Sequence, residues 1–533
     1  MSKVLVTEQY LSDIGSAIRG KLGGTSVYKP SQMASAISNI KTASDVVMLS
    51  KNITENGSYN PADDNADAFS SVVVNISNIY TQDDEGKVVY SGHLISQTAE
   101  QYTTNGTYDT TSVNYIDVNV QGGGGENNKY LIAVGASSGT IIENELSVLG
   151  RYAFYSNDHL TGYSSPTIEN IGINAFGRCA ISFINLGNCS VIASSAFYTC
   201  DSLQSISLPK CKSINDYAFT YCSFSSIELP LCEYIGTYAF ASCSRLKTIS
   251  FPLCKSISNS AFTFATNMQT AILPEVTYIG MEAFAYCYSL SSIEIPKCRT
   301  IGRSAFYSCR SLKDVNASEC VYIDIGAFSL CSALENISFP NCKTINANAF
   351  YSCSFMSAIS IPNASEIGAS AFAYCLSLSE IVIPSCSDIG SNAFYSCVML
   401  SRAELDSCLI IGASAFDGCF ALSEIILPKC SNVGSFAFAR CSNLKKVILG
   451  DCSVIYSNAF ANCSKLESIY ILYSNSGISA SSIFSNVFLK TPIANSTYLG
   501  YFGSIFVPSD MVEYYKSKAG WSYYSNRITA YVE

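Results

Sequence analysis

The sequence predicts an α/β-type repeat protein: a long solenoid preceded by small helical and β-rich modules. Three observations carry this. The dipeptide Ala-Phe recurs through most of the chain at a spacing of 22 residues, shortened to 21 in places early in the array. Within each unit an alternating apolar pattern gives way to apolar residues spaced by one and three, so a strand is followed by a turn of another kind. Only 14% of the residues are charged, against roughly 25% in an average soluble protein. A chain of 533 residues with so few charges fits an array whose units pack on their neighbours, because such an array lengthens without enlarging its core.

The first module spans residues 1–43. Leu11, Ile14, Ala17, Ile18 and Leu22 have helical spacing, as do Met33, Ala36, Ile37 and Ile40 after Pro30 and Ser31, so two short amphipathic helices joined at Gly23-Gly24 are expected. This hairpin is a candidate docking module. Residues 44–121 follow as two related β units. One pairs Asn56-Gly57 with the run from Val72 to Ile76, the other Asn105-Gly106 with Ile116 to Val120. Asn-Gly is a strong turn signal and each valine-rich run reads as a strand. Residues 122–128, with Gly122 to Gly125, are expected to form a flexible linker.

The solenoid is placed at residues 129–472, with about 15 units marked by phenylalanines from Phe154 to Phe460. In the unit from Leu290 to Cys309, Ile293 and Ile295 alternate with polar residues as in a half-buried strand, and Pro296 ends it because proline donates nothing to a ladder. Gly302 is expected to make a tight turn. Ala305, Phe306, Cys309 and Leu312 then suit a short helical turn facing inward. No unit can bury this set alone, so stacking is obligatory. A period of 22 lies in the range of leucine-rich repeats, giving a leucine-rich-repeat solenoid.

The pattern Ile-Gly-x-x-Ala-Phe-x-x-Cys-x-x-Leu-x-x-Ile-x-Leu-Pro resembles BspA-type leucine-rich repeats, found in bacterial surface adhesins, some protist surface proteins and phage-encoded proteins. The family's repeated residues are core residues, so the resemblance implies a fold and leaves the ligand open. The first 120 or so residues resemble N-terminal regions of phage and prophage tail or baseplate-associated proteins of Firmicutes-type bacteria, in SDIGSAIRGKLG (12–23), YKPSQMASAI (28–37), ITENGSYNPAD (53–63) and FSSVVVNI (69–76). That second resemblance implies a virion tail protein. Its N-terminus would attach to other tail or baseplate proteins, and its solenoid would recognise a host-surface protein or glycan. The alternative is a bacterial surface adhesin or interaction scaffold. Homo-oligomerisation stays open under either.

All 24 cysteines fall in the repeats at two registers, three residues after a repeat phenylalanine or eight before the next one. Metal sites need clustered pairs, which are missing. Equivalent side chains on neighbouring rungs point in parallel rather than at each other, which disfavours disulfides. Stacked free thiols acting as small hydrophobes fit best, since Ala265, Val276 and Ala364 replace cysteine at three of these registers.

Residues 473–533 are expected to cap the open end of the array. Ile505-Phe-Val507 reads as a last strand, and Ser509 as the N-cap of a helix through Glu513 and Tyr515, with the lone tryptophan, Trp521, beyond it.

No catalytic or cofactor-binding constellation appears. His93 and His159 are the only histidines, and neither lies in a metal or nucleophile motif, nor is there a phosphate loop or dinucleotide fingerprint. An enzyme, a metal and a cofactor are therefore not expected. The net charge of −10 and pI near 4.9 argue against nucleic acid, which demands clustered Lys and Arg. The N-terminus shows no apolar stretch of signal-peptide length and no segment has 18 consecutive apolar residues, so a chain made in the cytoplasm without membrane insertion is expected. Two rows are candidate binding surfaces. The outward residue between paired apolar strand positions becomes apolar at Ile272, Val382, Ile426, Ile448 and Tyr470. The position after the repeat phenylalanine carries Tyr307, Tyr351 and Tyr395, rings able to stack on a sugar or pack on a protein.

Overall fold

A computed structural model describes residues 139–142, 144, 146–450, 452–472, 482–494 and 502–531 in full, with the backbone of short strands between residues 72 and 131. The expected helical hairpin of residues 1–43 lies outside the described residues, as do both Asn-Gly turn signals. The chain divides into two compact units, Met1–Ser138 with Glu143–Phe154, and Gly139–Ile142 with Tyr155–Glu533. In the first, Asp117–Gly122 pairs antiparallel with Val72–Val73 and with Asn127–Leu131.

The second unit is a parallel-strand solenoid with one rung per repeat. Its continuous spine is a row of two-residue strands from Asn170–Ile171 to Ser482–Ile483, each hydrogen-bonded in parallel to the next rung. The second residue of each strand as far as Val454–Ile455, such as Ile171, Ile301 and Ile455, is buried, and Ile483 in the last strand is half-buried. The strand expected around Ile293 also forms, at Ser292–Glu294, with Ile293 buried and Glu294 exposed. These lateral strands form shorter sheets, the last running over five strands from Glu424–Leu427 to Ile528–Ala530. The spine thus runs through the isoleucine before Gly302, where the sequence suggested only a turn. Gly302 itself permits close approach, because a Cβ there would meet the Ile279 carbonyl oxygen at 2.7 Å.

The expected helical turn around Ala305-Phe306 is replaced by a different device. Within the rung, Ala305 N–H donates to the Gly302 carbonyl, Tyr307 to Ser304, and Cys309 to Phe306, closing three successive turns. The intervening amides of Ser304, Phe306 and Ser308 donate to Ile325, Ala327 and Ser329 on the next rung, at 2.9, 2.7 and 2.8 Å. A helix would close all of its interior donors within the unit; here half of them cross. The alternation requires left-handed backbone at Ser304 (φ 52) and Ser308 (φ 62), and the same pair of positions recurs along the array, filled by glycine only at Gly326 and Gly418 among the rungs from Phe176 to Phe488.

The core is a column. Successive repeat phenylalanines stack nearly parallel from Phe176 to Phe460 at centroid distances of 5.0 to 5.4 Å. One further rung follows the last Ala-Phe pair. Ser482–Ile483 extends the spine, Phe488 stacks on Phe460 at 5.9 Å, and Asn486 and Lys490 take the two left-handed positions. The array therefore reaches past residue 472. Thr491 stands where cysteine is expected, fully buried, its Oγ1 donating to the Phe488 carbonyl at 2.8 Å. Beyond it Ser504–Val507 joins the lateral sheet against Ser468–Ile471, and Ile528–Ala530 adds to Ser504–Val507. Between them Val512–Ser517 is helical, entered through a 3-10 turn at Ser509–Met511; Ser509 makes no side-chain cap bond and Met511 occupies the N-cap position. Trp521 is fully buried and packs on Tyr515 at 5.2 Å and on Phe488 at 6.5 Å, closing the phenylalanine column.

Candidate binding surfaces

On the lateral sheet the register aligns Ile426 with Ile448, Ile448 with Tyr470, and Tyr470 with Phe506. Ile426 is 46% exposed, the other three are half-buried, and the Tyr470 and Phe506 rings stack at 4.6 Å. Four adjacent rungs thus share one apolar strip. Phe506 extends it, and was legible as the outward residue of Ile505-Phe-Val507, although that segment had been set apart as a cap. A Glu424–Lys446 ion pair at 2.8 Å flanks the strip, with the Lys446 ammonium 5.8 Å from the Tyr470 ring centroid. Ile272 is equally exposed, yet its ladder neighbours are Ser250 and Glu294; Val382 lies beside Glu404. Neither joins the strip.

Tyr307, Tyr351 and Tyr395 are half-buried on the turn edge of the solenoid. Sequence reasoning missed their partners, which lie one residue later in the repeat at a left-handed position. Tyr286 meets Tyr307 edge-on at 5.3 Å, and Tyr374 lies between Tyr351 at 5.5 Å and Tyr395 at 5.4 Å. Arg440 then bridges two rungs, its Nε donating to Asp417 Oδ1 at 2.7 Å and its Nη2 to the Tyr395 hydroxyl at 3.1 Å.

The cysteines sit inside and have their own polar role. All 24 are buried and unbridged. Those after the phenylalanine, from Cys200 to Cys463, donate S–H to the phenylalanine carbonyl of the preceding rung, as Cys309 does to Phe284 at 3.1 Å. Those in the other register donate to the carbonyl two residues on, as Cys298 does to Thr300 at 3.2 Å. Cysteine here is a small hydrophobe that also satisfies a carbonyl, which alanine cannot do. Burial pushes the Cys189 and Cys298 thiols up to about 12, away from the thiolate form that reacts or binds metal.

The signature of the BspA type leucine rich repeat region matches six copies over residues 136–502. The chain belongs to this family. Among solved structures it is similar to a leucine-rich repeat protein from Bacteroides ovatus ATCC 8483, at 23% identity over 71% of this chain and 100% of that one, with a TM-score of 0.50. That likeness shows the fold. A leucine rich cell surface protein from Faecalibacterium prausnitzii A2-165 is 22% identical over 68% of this chain and 94% of that one, with a TM-score of 0.34. No curated protein sequence matches the chain.

For a BspA-type repeat this geometry separates scaffold from surface. The family's repeated positions fill the interior, and the positions free to vary form the lateral strip and the turn edge. Among the described residues no group of three or more His, Cys, Asp or Glu is placed to hold a metal ion, and no helix is long and apolar enough to cross a membrane. His159 lies in a turn whose amide donates to Asn157 Oδ1 at 2.9 Å; His93 is outside the fully described residues.

Proposed function

We propose that this BspA-type solenoid is a non-catalytic adhesion scaffold of the bacterial surface-protein kind, which recognises a partner protein through the lateral strip Ile426–Ile448–Tyr470–Phe506. One observation carries the reading: four adjacent rungs of a rigid ladder place apolar side chains outward in a row that is polar over many earlier rungs. A contiguous apolar strip rimmed by charge is the usual composition of a recognition surface. Because the strip stands on hydrogen-bonded strands, little ordering cost accompanies binding.

The test is adhesion of the purified full chain to immobilised cells and extracellular-matrix proteins. Saturable binding that Ile426→Asp/Ile448→Asp abolishes, with the melting temperature unchanged, supports the reading. Binding indifferent to that pair overturns it. A second reading, a phage or prophage tail protein docked through residues 1–121, rests on the sequence motifs of that stretch. It predicts that the chain co-purifies with virions or tail particles, whereas the adhesin reading predicts that it fractionates with the cell envelope.

A further inference from the structure

The turn edge, on the side of the tyrosine ladder, carries a second surface that the lateral strip does not explain. Phe264, Tyr288, Phe355, Leu376, Met399 and Phe420 are exposed there by 44, 38, 66, 41, 58 and 44%. The two rungs between Tyr288 and Phe355 contribute half-buried Tyr307 and Leu330, so each of eight successive rungs presents one large apolar or aromatic side chain. Ring contacts join the first of these positions, since Tyr286 meets both Tyr288 and Tyr307 and Arg310 lies over Tyr288; the others occupy the same turn of their own rungs, between the repeat phenylalanine and the residue two past the cysteine position.

Charge is sparse on this edge. From residue 263 to 421, the turn-edge positions running from just after each repeat phenylalanine to two residues past the cysteine position include two charged side chains: Arg310, which lies over the Tyr288 ring, and Asp417, which pairs with Arg440 at 2.7 Å. The whole chain carries 41 acidic and 31 basic residues, so this depletion is local. It is the composition of an interface core, enriched in aromatic residues, Met and Arg.

We propose that this edge is a self-association surface, on which two copies of the chain pack antiparallel. Three considerations select a second copy. The first is period. Rungs repeat every 5.0 to 5.4 Å, and an identical ladder run antiparallel keeps step with it along the full length; an extended peptide repeats same-side side chains every ~6.7 Å and loses register within a few rungs. The second is charge. Two chains of net charge −10 repel, and this edge, whose charges are the cation Arg310 and the ion-paired Asp417, lets them meet without opposing free carboxylates. The third is area. At ~15 Å width, the length from Phe264 to Phe420 offers about 500 Å² per copy, hence about 1,000 Å² in all, at the lower limit of specific interfaces. The dimer is accordingly weak and reversible, with a two-fold axis across the edge.

Sedimentation of the full chain from about 1 to 100 μM tests this, a range that spans weak dimers of this size. The expected result is a concentration-dependent monomer–dimer equilibrium. Phe355→Asp/Met399→Asp, at two exposed side chains, should weaken the dimer at least tenfold with an unchanged circular-dichroism melt. Ile426→Asp/Ile448→Asp, on the lateral sheet, should leave it intact and so keeps this proposal separable from the adhesion reading. A chain that stays monomeric throughout overturns the proposal. So does a dimer that survives the Phe355/Met399 pair, or one lost only with the lateral pair. If the first pair alters the melt, Leu376→Ser, which adds no charge, must still weaken the dimer.

Discussion

Replacing Phe350 by alanine should cut the solenoid into two folding halves. The ring is fully buried between Phe328 at 5.3 Å and Phe372 at 5.2 Å, with Phe339 tilted beside it at 6.1 Å. Phe→Ala in a core costs about 3–5 kcal/mol. Two stacked pairs are lost together, each contributing about 0.5–1.5 kcal/mol beyond its buried area, so the upper part of that range, roughly 4–5 kcal/mol, applies. In a linear array this loss falls on the interfaces between one rung and its neighbours, where it competes with the coupling that makes the array unfold as a unit. Trp521, the only tryptophan, is buried at the C-terminal end against Phe488, so its fluorescence reports that end while far-UV circular dichroism reports the whole ladder. In guanidinium chloride the two probes should coincide for the unaltered chain and separate for Phe350→Ala, the dichroism falling in two steps. Coincident transitions in the variant, or a loss below about 1 kcal/mol, would refute the columnar account, since a buried ring stacked on both faces cannot be removed so cheaply.

Other consequences are open to simpler measurements. Native thiol titration should find almost no reactive cysteine and denatured titration close to 24, because every thiol is buried and unbridged. Burial raises thiols such as Cys298 from 9.0 to about 12, so between those values the unfolded chain releases protons that the folded chain retains. Stability is then full below about pH 9 and lost as pH rises, at about 1.4 kcal/mol per unit for each thiol; a melting temperature that holds to pH 11 would contradict it. Ser414→Gly relieves a left-handed residue at φ 53 and should stabilise by about 0.5–1 kcal/mol, the strain of about 1–2 less the extra chain entropy of glycine. Denaturant midpoints decide this, and a destabilised variant would mean that the Ser414 side chain does more than tolerate its backbone.

The period, the inward set and the solenoid were legible in the sequence because burial imposes the same residues on each rung. Phe306, Cys309 and Ile293 announce themselves by recurrence alone. The turn around Ala305-Phe306 was misread as helical for a physical reason: spacings of one and three suit a helix equally, and nothing local reveals that alternate amides bond to the next rung. The left-handed positions were hidden because serine, asparagine and tyrosine occupy them where glycine would have signalled a turn. The rung at Phe488 escaped notice because Val487 replaces alanine, Thr491 replaces cysteine, and the interval from Phe460 is longer than 22 residues. For the surfaces, the outward row was readable from strand alternation, which placed Ile426, Ile448 and Tyr470 correctly beside one another. The turn edge was only half visible. Its tyrosines at 307, 351 and 395 stood out, whereas Tyr374, Leu376 and Met399 occupy different offsets in their units and converge only once the turns are folded.

The crossing amides have a further consequence, for the history of the molecule. Each rung offers its neighbour the same three carbonyls and the same phenyl face, so one rung cannot distinguish the neighbour it has from one taken elsewhere in the array. Excising residues 329–350 would bring Phe328 and Phe372 together with the backbone donors of the turn still matched. A gene encoding such a ladder can gain or lose whole units by slippage without passing through a chain that fails to fold. Reach thereby becomes a heritable variable separable from recognition, and a lineage can lengthen or shorten the scaffold while keeping the few side chains that meet the outside world.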